Sequence, residues 1–377
     1  MKIRIPSYYK KFHCIGSACT DNCCIGWEID IDDKTDQYYQ NVVGPFGDRL
    51  RSSIADGEEP HFILKHERCP FLNKDNLCDI IITLGEDKLC NICTEHPRFY
   101  EWFDGLTEQG VGLCCEEASR LLFESEEPIA FETYETQEND DCGTYDVALF
   151  DALIQARETA FLLVQNRDIS IQKRIGLVLS FAQELQDCID DGEIPAIYEV
   201  SKQYKDNGLI KKLLIEFHQF EHHDTEKTNL VCNLINIYQA LEPIDEKWPE
   251  QLSDITKKLP TIFENSELFS EYCNSCSYEY EHIAVYFIYR YFMKAVFDED
   301  LLSKVILLAT SYLVIHTLDI NQWLENNNEF HLVDRIHTVK SYSKEIEYSQ
   351  ENLDTLADES YENELFSFEN LMTMLLS

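Results

Sequence analysis

A chain of 377 residues is long enough for two domains, and its 44% hydrophobic and 12% aromatic residues exclude a mainly disordered protein. The 70 Asp and Glu residues outnumber the 31 Lys and Arg residues, which gives a net charge of −39. This charge argues against nucleic acid or an anionic membrane as the main partner, because phosphate contacts need clustered basic side chains. It favours a basic partner, or it serves only to keep the protein soluble.

The N-terminal residues Met1–Pro6 lack the apolar run of a signal peptide. The most apolar stretches, Ile283–Phe292 and Val305–Ile315, are too short to span a bilayer. We therefore expect a cytoplasmic protein with no membrane partner. In a reducing cytosol, clustered cysteines are more often metal ligands or redox groups than disulfides. The oligomeric state stays open.

The first third of the chain is rich in turns, since nine of the thirteen glycines precede residue 113. Alternation of apolar residues predicts a short strand at Trp27–Ile31, with His61–Lys65 as its partner. Helical spacing predicts helices at Asp36–Val43 and Glu116–Glu124. The run from Glu124 to Asp141 contains eight acidic residues and predicts a solvated connector, or alternatively the acidic rim of a groove.

The remaining chain predicts helices, because apolar residues recur at helical spacing and no alternating strand series follows residue 150. We expect helix breaks at the prolines 243, 249 and 260. The predicted fold is mainly α: a cysteine-rich, loop-rich metal-binding module at 1–123, an acidic connector at 124–145 and an all-α helical domain at 146–377. The helices with the clearest periodicity are Ala148–Leu163, Leu209–Phe217, Leu230–Leu241, His282–Phe297 and Leu301–Ile315.

Ten of the fifteen cysteines lie before residue 116, in four clumps. Thiolates are soft ligands that select zinc or an iron–sulfur cluster over magnesium or calcium. Four clumps within about a hundred residues are a far stronger signal than one CxxC pair. The sequence therefore predicts a metal centre held by a subset of these ten: Cys14, Cys19, Cys23, Cys24, Cys69, Cys78, Cys90, Cys93, Cys114 and Cys115.

The pattern leaves the ligands and the metal open. Adjacent cysteines point in different directions, so both members of Cys23–Cys24 or of Cys114–Cys115 are not expected on one metal atom. Ten thiols exceed one four-ligand site, so there are two sites, or some thiols are buried hydrophobes or lie on the substrate side. The single CxxC and the long, uneven gaps favour a wide iron–sulfur cluster, with zinc as the alternative.

The cysteine clumps and two helical segments resemble the flagellin lysine N-methylase family, in the wider group with a proposed zinc- or iron-chelating CxxCxxCC domain. One departure is the first clump, in which gaps of four, three and no residues replace two and two. This leaves open whether Cys14 or Cys19 is a ligand. The segments that carry the resemblance are Cys14–Trp27, Cys69–Cys78, Leu89–Arg98, Gly110–Ala118, Tyr280–Arg290 and Ser343–Asn352.

The resemblance implies methyl transfer from S-adenosylmethionine to surface lysines of flagellin in the bacterial cytoplasm, with a 4Fe-4S cluster tied to the transfer. The sequence itself lacks the glycine-rich turn of the usual methyltransferase sheet, since Gly110–Gly112 is only a fragment of one. A site for S-adenosylmethionine is therefore expected to be unconventional. The competing hypothesis is a non-enzymatic iron–sulfur or zinc module that binds a partner or senses redox state.

Four residues near the cysteines are candidates for cofactor binding. His96 and Arg98 suit contact with a carboxylate or a cluster sulfide, or alternatively fix a loop. Glu116 and Glu117 suit binding of a lysine ammonium or removal of its proton, or alternatively begin a solvated helix. The catalytic residue itself is not assigned.

Overall fold

Four short strands form one sheet that brings the N-terminus next to the segment after the cysteine clumps. The computed structural model describes residues 1–20, 23–26, 28–55, 57, 60–66, 68–136 and 144–377. Within them the strand order is β2-β3-β1-β4, with β1 parallel to β3 and antiparallel to β4. The strands are β1 (Lys2–Pro6), β2 (Arg98–Phe103), β3 (Leu106–Val111) and β4 (Phe131–Glu135).

The hairpin of β2 and β3 follows from its turn. Asp104 and Gly105 join the strands, and Gly105 has a φ of 73°, a conformation that glycine adopts at little cost. This sheet was not predicted from the sequence. β4 lies inside the stretch 124–145 that was expected to be a connector, so part of that stretch is paired with β1.

Helices make up most of the described chain, and the mainly α prediction is confirmed. Of the five helices predicted after residue 145, four are present, and the one predicted at His282–Phe297 is divided by a 3-10 turn at Phe292–Lys294. Pro249 lies in the first turn of its helix, whereas Pro260 lies inside the same helix and does not end it. The helices before residue 145 are α1 (Asp33–Asn41), α2 (Pro45–Ser52), α3 (Asp79–Leu84), α4 (Asn91–Glu95) and α5 (Glu116–Leu122).

The long helices pack around α15, which is buried along most of its length. α15 is long and apolar enough to cross a membrane, but 83% of its most apolar window is buried inside the protein, as in the core helix of a soluble domain. The helices after residue 145 are α6 (Val147–Val164), α7 (Ile171–Asp190), α8 (Ala196–Gln203), α9 (Asn207–Glu216), α10 (Asp224–Ala240), α11 (Trp248–Glu264), α12 (Ser266–Tyr272), α13 (Tyr278–Tyr291), α14 (Ala295–Asp298), α15 (Leu301–Glu325), α16 (Leu332–Glu347), α17 (Gln350–Glu362) and α18 (Phe368–Leu376).

The buried residues form two separate cores. The large core combines the helical region with Tyr8, Phe103 and Leu121 from the front of the chain. The small core lies between residues 29 and 90 and includes Cys69 and Cys90. The division between the cores therefore does not fall at residue 123, because the sheet and α5 pack with the helices.

A buried ion pair fixes the sheet to the helical region. The guanidinium of Arg157 on α6 donates two hydrogen bonds to the carboxylate of Glu108 on β3, one of them 2.6 Å long. Both side chains are almost fully buried. Tyr289 of α13 adds hydrogen bonds from its hydroxyl to the carbonyl oxygens of Arg4 and Gln109, at 2.7 and 3.1 Å.

Of the strand pairing predicted between residues 27–31 and 61–65, the described residues contain one isolated bridge. Trp27 lies outside the described residues. Asp30 and His61 form an isolated antiparallel bridge, and the Phe62 amide donates to the Ile29 carbonyl at 3.0 Å. The two segments are therefore neighbours as expected, although their described residues form no continuous strand.

Candidate metal centre and the adjoining site

Five thiols lie together in and around the small core, and we call them the inner thiols: Cys24, Cys69, Cys78, Cys90 and Cys93. The sulfur atoms of Cys90 and Cys93 are 3.4 Å apart. Cys69 and Cys78 interact electrostatically with Cys90, and Cys24 with Cys93. The structure therefore brings residues from all of the first three clumps into one group.

Local structure explains how these thiols meet. Cys78 and Cys90 are the N-cap residues immediately before α3 and α4. Cys93 follows Cys90 by three positions, which places both side chains on one side of the first turn. The backbone amide of Cys69 donates to the carbonyl of Cys24 at 2.8 Å and ties the first clump to the second.

Four of the five inner thiols have a pKa above the usual value. Burial raises the pKa of Cys69 to about 11 and also raises that of Cys78. The hydrogen bond between Cys90 and Cys93 raises the pKa of Cys93 and lowers that of Cys90. Several thiolates in this group are unfavourable unless a bound cation stabilises them.

The inner thiols fit a soft metal by their chemistry. Two thiolates on one tetrahedral metal atom lie about 3.8 Å apart, because each zinc–sulfur bond is about 2.3 Å. The separation of Cys90 and Cys93 is close to this value. Among the residues that the structure describes, however, no three His, Cys, Asp or Glu side chains are arranged so as to hold a metal ion. The donors are gathered, but their ligand geometry is not preformed.

A second group, the outer thiols, surrounds the start of α5 and consists of Cys14, Cys19, Cys23 and Cys115. Burial raises the pKa of Cys115 to about 11, with Cys23 and Cys14 as neighbouring thiols. Cys23 also interacts with Cys24, so it connects the outer and inner thiols.

Glu116 holds the first cysteine loop against α5. Its Oε2 accepts hydrogen bonds from the amide and hydroxyl of Thr20, at 2.8 and 2.6 Å, and from the Cys19 thiol at 3.6 Å. Although burial alone would raise the pKa of Glu116, these bonds hold it below its usual value. Glu116 is therefore an ionised carboxylate beside the outer thiols.

Cys114 lies at a seam between the cysteine region and the helices, where Tyr348 and Arg290 are also its neighbours. Its sulfur is 3.9 Å from His96 Nε2. The Tyr348 hydroxyl donates to the carbonyl of Pro97 at 3.3 Å, and its ring lies 5.8 Å from the His96 ring. Burial lowers the pKa of His96 to about 4, so its imidazole is neutral at physiological pH.

Arg98 and Glu117 contact residues other than the cysteines. The Arg98 guanidinium stacks over Phe12 at 5.2 Å and donates to the carbonyl of Thr94 at 3.2 Å. Glu117 accepts two hydrogen bonds from Arg120 on its own helix, at 2.7 and 2.9 Å. Of the four cofactor candidates, the structure places His96 and Glu116 beside cysteines.

A buried polar network behind the seam was not predicted from the sequence. Glu347 Oε2 accepts hydrogen bonds from the hydroxyls of Tyr286 and Tyr291, both at 2.9 Å, and lies 3.0 Å from Arg290. Glu347 Oε1 is buried without a hydrogen-bond partner. The available signal was that Tyr286 and Arg290 are four residues apart on one helix. Nothing in the sequence indicated that Glu347 would meet them.

Comparisons with known proteins give the family. Residues 157–374, more than half of the chain, match the family described as the FliB lysine N-methylase C-terminal domain. A lysine-N-methylase of Salmonella typhimurium is 25% identical over 264 residues, which cover 63% of this chain and 61% of that protein. A lysine-N-methylase of Salmonella choleraesuis matches with the same identity and coverage.

A third relative has a flagellar name. The flagellar biosynthetic protein FliU of Salmonella muenchen is 29% identical over 131 residues, which cover 31% of this chain and 75% of that protein. The chain spans about three-fifths of the length of the two lysine-N-methylases. No solved structure matches it. By the match over more than half of its residues, the chain belongs to the FliB lysine N-methylase family.

Proposed function

We propose that this protein transfers methyl groups from S-adenosylmethionine to lysine side chains of flagellin. The observation that carries the proposal is the family match over residues 157–374, together with two relatives named lysine-N-methylase. The name of the third relative supports a flagellar substrate. We further propose that the reaction takes place in the cytoplasm.

The chemistry sets what the site must do. The uncharged lysine nitrogen attacks the methyl carbon of the donor, the new N–C bond forms, and the C–S bond breaks to leave a neutral thioether. The lysine ammonium must first lose its proton, which a desolvated site favours by lowering the lysine pKa. Glu116 is ionised and hydrogen-bonded, so it suits binding of the ammonium better than removal of its proton.

The proposed metal is an iron–sulfur cluster of the 4Fe-4S type, held by the inner thiols. Their number and softness support a cluster, whereas the short distance between Cys90 and Cys93 supports zinc as a second candidate. When bound, a cluster supplies a redox-active centre, and zinc supplies only charge and structural constraint. Metal and sulfide analysis of anaerobically purified protein distinguishes the two.

The net charge of −39 supports a partner that presents lysines. A negative field accelerates encounter with such a partner, and salt screens it with a Debye length of about 8 Å at physiological ionic strength. We therefore propose that added salt slows the methylation of flagellin mainly through slower association.

The test is incubation of the purified, metal-loaded protein with flagellin and methyl-labelled S-adenosylmethionine, followed by measurement of label in flagellin. Flagellin with chemically acetylated lysines is the matched control, since its amines are blocked. We expect label in the native substrate alone. Absence of label from both substrates would reject the enzyme and favour the metal-binding or redox module.

A further inference from the structure

A cavity of about 300 Å³ opens beside the N-terminus of α7, away from the cysteines of the metal centre. Its walls come from α7, α12, α13 and α15. None of the candidate site residues predicted from the sequence lies in its walls. The cavity has an aromatic side and a charged side, and these two sides indicate the kind of ligand that it fits.

Aromatic rings form one side of the cavity. The rings of Tyr312 and His316 are stacked, with centroids 5.3 Å apart and an interplanar angle of 22°. Tyr280 and Phe269 lie against His316 at 5.4 and 5.8 Å. Burial lowers the pKa of His316 to about 3, so this imidazole is uncharged. Such a wall suits a flat heteroaromatic ring, and its π faces also attract a cation.

The other side carries charge. The N-terminus of α7 lines the cavity and has no side-chain cap, because Ser170 makes no capping hydrogen bond. Arg174 and Arg167 share one carboxylate, that of Glu281, each at 2.8 Å. Glu126 and Glu127 also act on Arg167 from outside the cavity, whereas Arg174 is buried beside the helix N-terminus, which adds positive potential. The carboxylate of Asp168 also lines the cavity, two residues before the N-cap Ser170 of α7.

Two buried polar atoms of the lining lack hydrogen bonds. Arg174 Nε and the Tyr312 hydroxyl have no partner of normal geometry, although Tyr312 lies near Gln172. Arg174 is 4% exposed and Tyr312 is 3% exposed. A buried polar group without a partner costs about 1–3 kcal/mol. A polar ligand in the cavity would remove this cost.

We infer that this cavity binds a nucleoside joined to an amino acid zwitterion. The heteroaromatic ring lies among the aromatic side chains, the carboxylate faces the N-terminus of α7 and Arg174, and the ammonium faces Asp168. S-adenosylmethionine has this chemistry, and its sulfonium suits the π faces. The inference rests on the proposed function and assigns the methyl donor to the helical region.

The test is calorimetric titration of the metal-loaded protein with S-adenosylhomocysteine, which has the same ring and zwitterion but transfers no methyl group. Tyr312→Phe removes only the buried hydroxyl, and we expect it to weaken binding about fivefold to tenfold. Ser270→Phe places a ring from an exposed position of α12 into the cavity, and we expect loss of binding. Gln251→Phe, in the wall of a different cavity, is the control and should bind normally.

Circular dichroism and thermal midpoints should match wild type for all three variants. Binding that is equal in wild type, Tyr312→Phe and Ser270→Phe would overturn the inference and leave the proposed function standing. Flagellin methylation by a wild-type protein that binds no S-adenosylhomocysteine would have the same meaning. Binding that both variants weaken, in a protein that methylates no lysine, would support the cavity and reject the proposed function.

Discussion

The hydroxyl of Tyr348 donates to the carbonyl oxygen of Pro97 at 3.3 Å, across 251 positions of the chain. This bond joins the end of α16 to the loop that follows the Cys90–Cys93 pair. The Tyr348 ring also covers Gly112, just before Cys114 and Cys115. The family-like segments at both ends of the chain therefore meet at one point, beside the cysteines.

Substitution of Gly112 tests this seam. A Cβ atom at Gly112 would lie 2.0 Å from the Tyr348 hydroxyl oxygen, so Gly112→Ala should lower the free energy of unfolding by about 1–3 kcal/mol through overpacking. Urea denaturation measures the effect. Tyr348→Phe removes that oxygen, and the double variant should recover part of the loss. Independent, additive effects would show that the contact does not exist.

The inner thiols should control the stability of the small core. Cys69→Ser and Cys90→Ser should reduce bound metal and open the small core to protease, because metal-binding free energy is also folding free energy. The large core, which includes the sheet and α5 as well as the helices, should stay resistant. Cys188→Ser, far along the helical region, is the matched control. Equal metal content and equal protease resistance in all of these proteins would contradict the assignment.

The Arg157–Glu108 pair should be essential for docking of the sheet. Arg157→Leu removes both hydrogen bonds to the buried carboxylate of Glu108 and leaves it only the Arg4 guanidinium, 4.0 Å away. Such a loss costs up to about 3–5 kcal/mol. The free energy of unfolding, measured in urea, should fall by this amount. Lys257→Leu removes the exposed ion pair between Lys257 and Asp254, and it should change the free energy of unfolding by less than about 1 kcal/mol. Similar small effects at both sites would show that the buried pair is dispensable.

Acid should destabilise the protein partly through His316. Its folded-state pKa of about 3 lies below the unfolded value of 6.5, so the unfolded chain binds the proton first as pH falls. The stabilisation is complete well above pH 6.5 and declines as pH falls toward 3, by about 3 kcal/mol at pH 4.5. His316→Phe should flatten urea stability between pH 6.5 and 4.5. His218→Gln, at an exposed ring, is the control and should leave the pH dependence of the unfolding free energy unchanged. If His316→Phe also leaves this pH dependence unchanged, His316 is not its source.

The sequence predicted the helical region well, because long apolar periodicity such as that of Leu301–Ile315 survives in any tertiary context. The prediction from sequence was wrong at Pro260, where tertiary packing overrides a local helix-breaking signal, and it missed the β2–β3 hairpin. Pro260 stays inside a helix whose apolar face is held by the core. The Asp104–Gly105 turn between two strand-like runs was an available hairpin signal, and it was not used.

The candidate site was predictable only in part. Clustered thiols marked the candidate metal-binding region, and they meet in two groups. Spacing cannot show which distant clumps meet, so Cys24 beside Cys93 and Cys114 beside Tyr348 emerged only from the fold. The contact between Glu347 and Arg290 could not be predicted either, because an isolated Glu in a helix usually faces solvent.

The most direct test of the central claim is the mass of flagellin peptides after incubation with the metal-loaded protein and S-adenosylmethionine that carries a deuterated methyl group. Flagellin peptides should become heavier by whole deuterated methyl groups, and fragment ions should place the added mass on the lysine nitrogen. The yield should fall as salt is raised. Lysines that gain no methyl mass at any salt concentration, in the presence of folded and metal-loaded protein, would contradict the account.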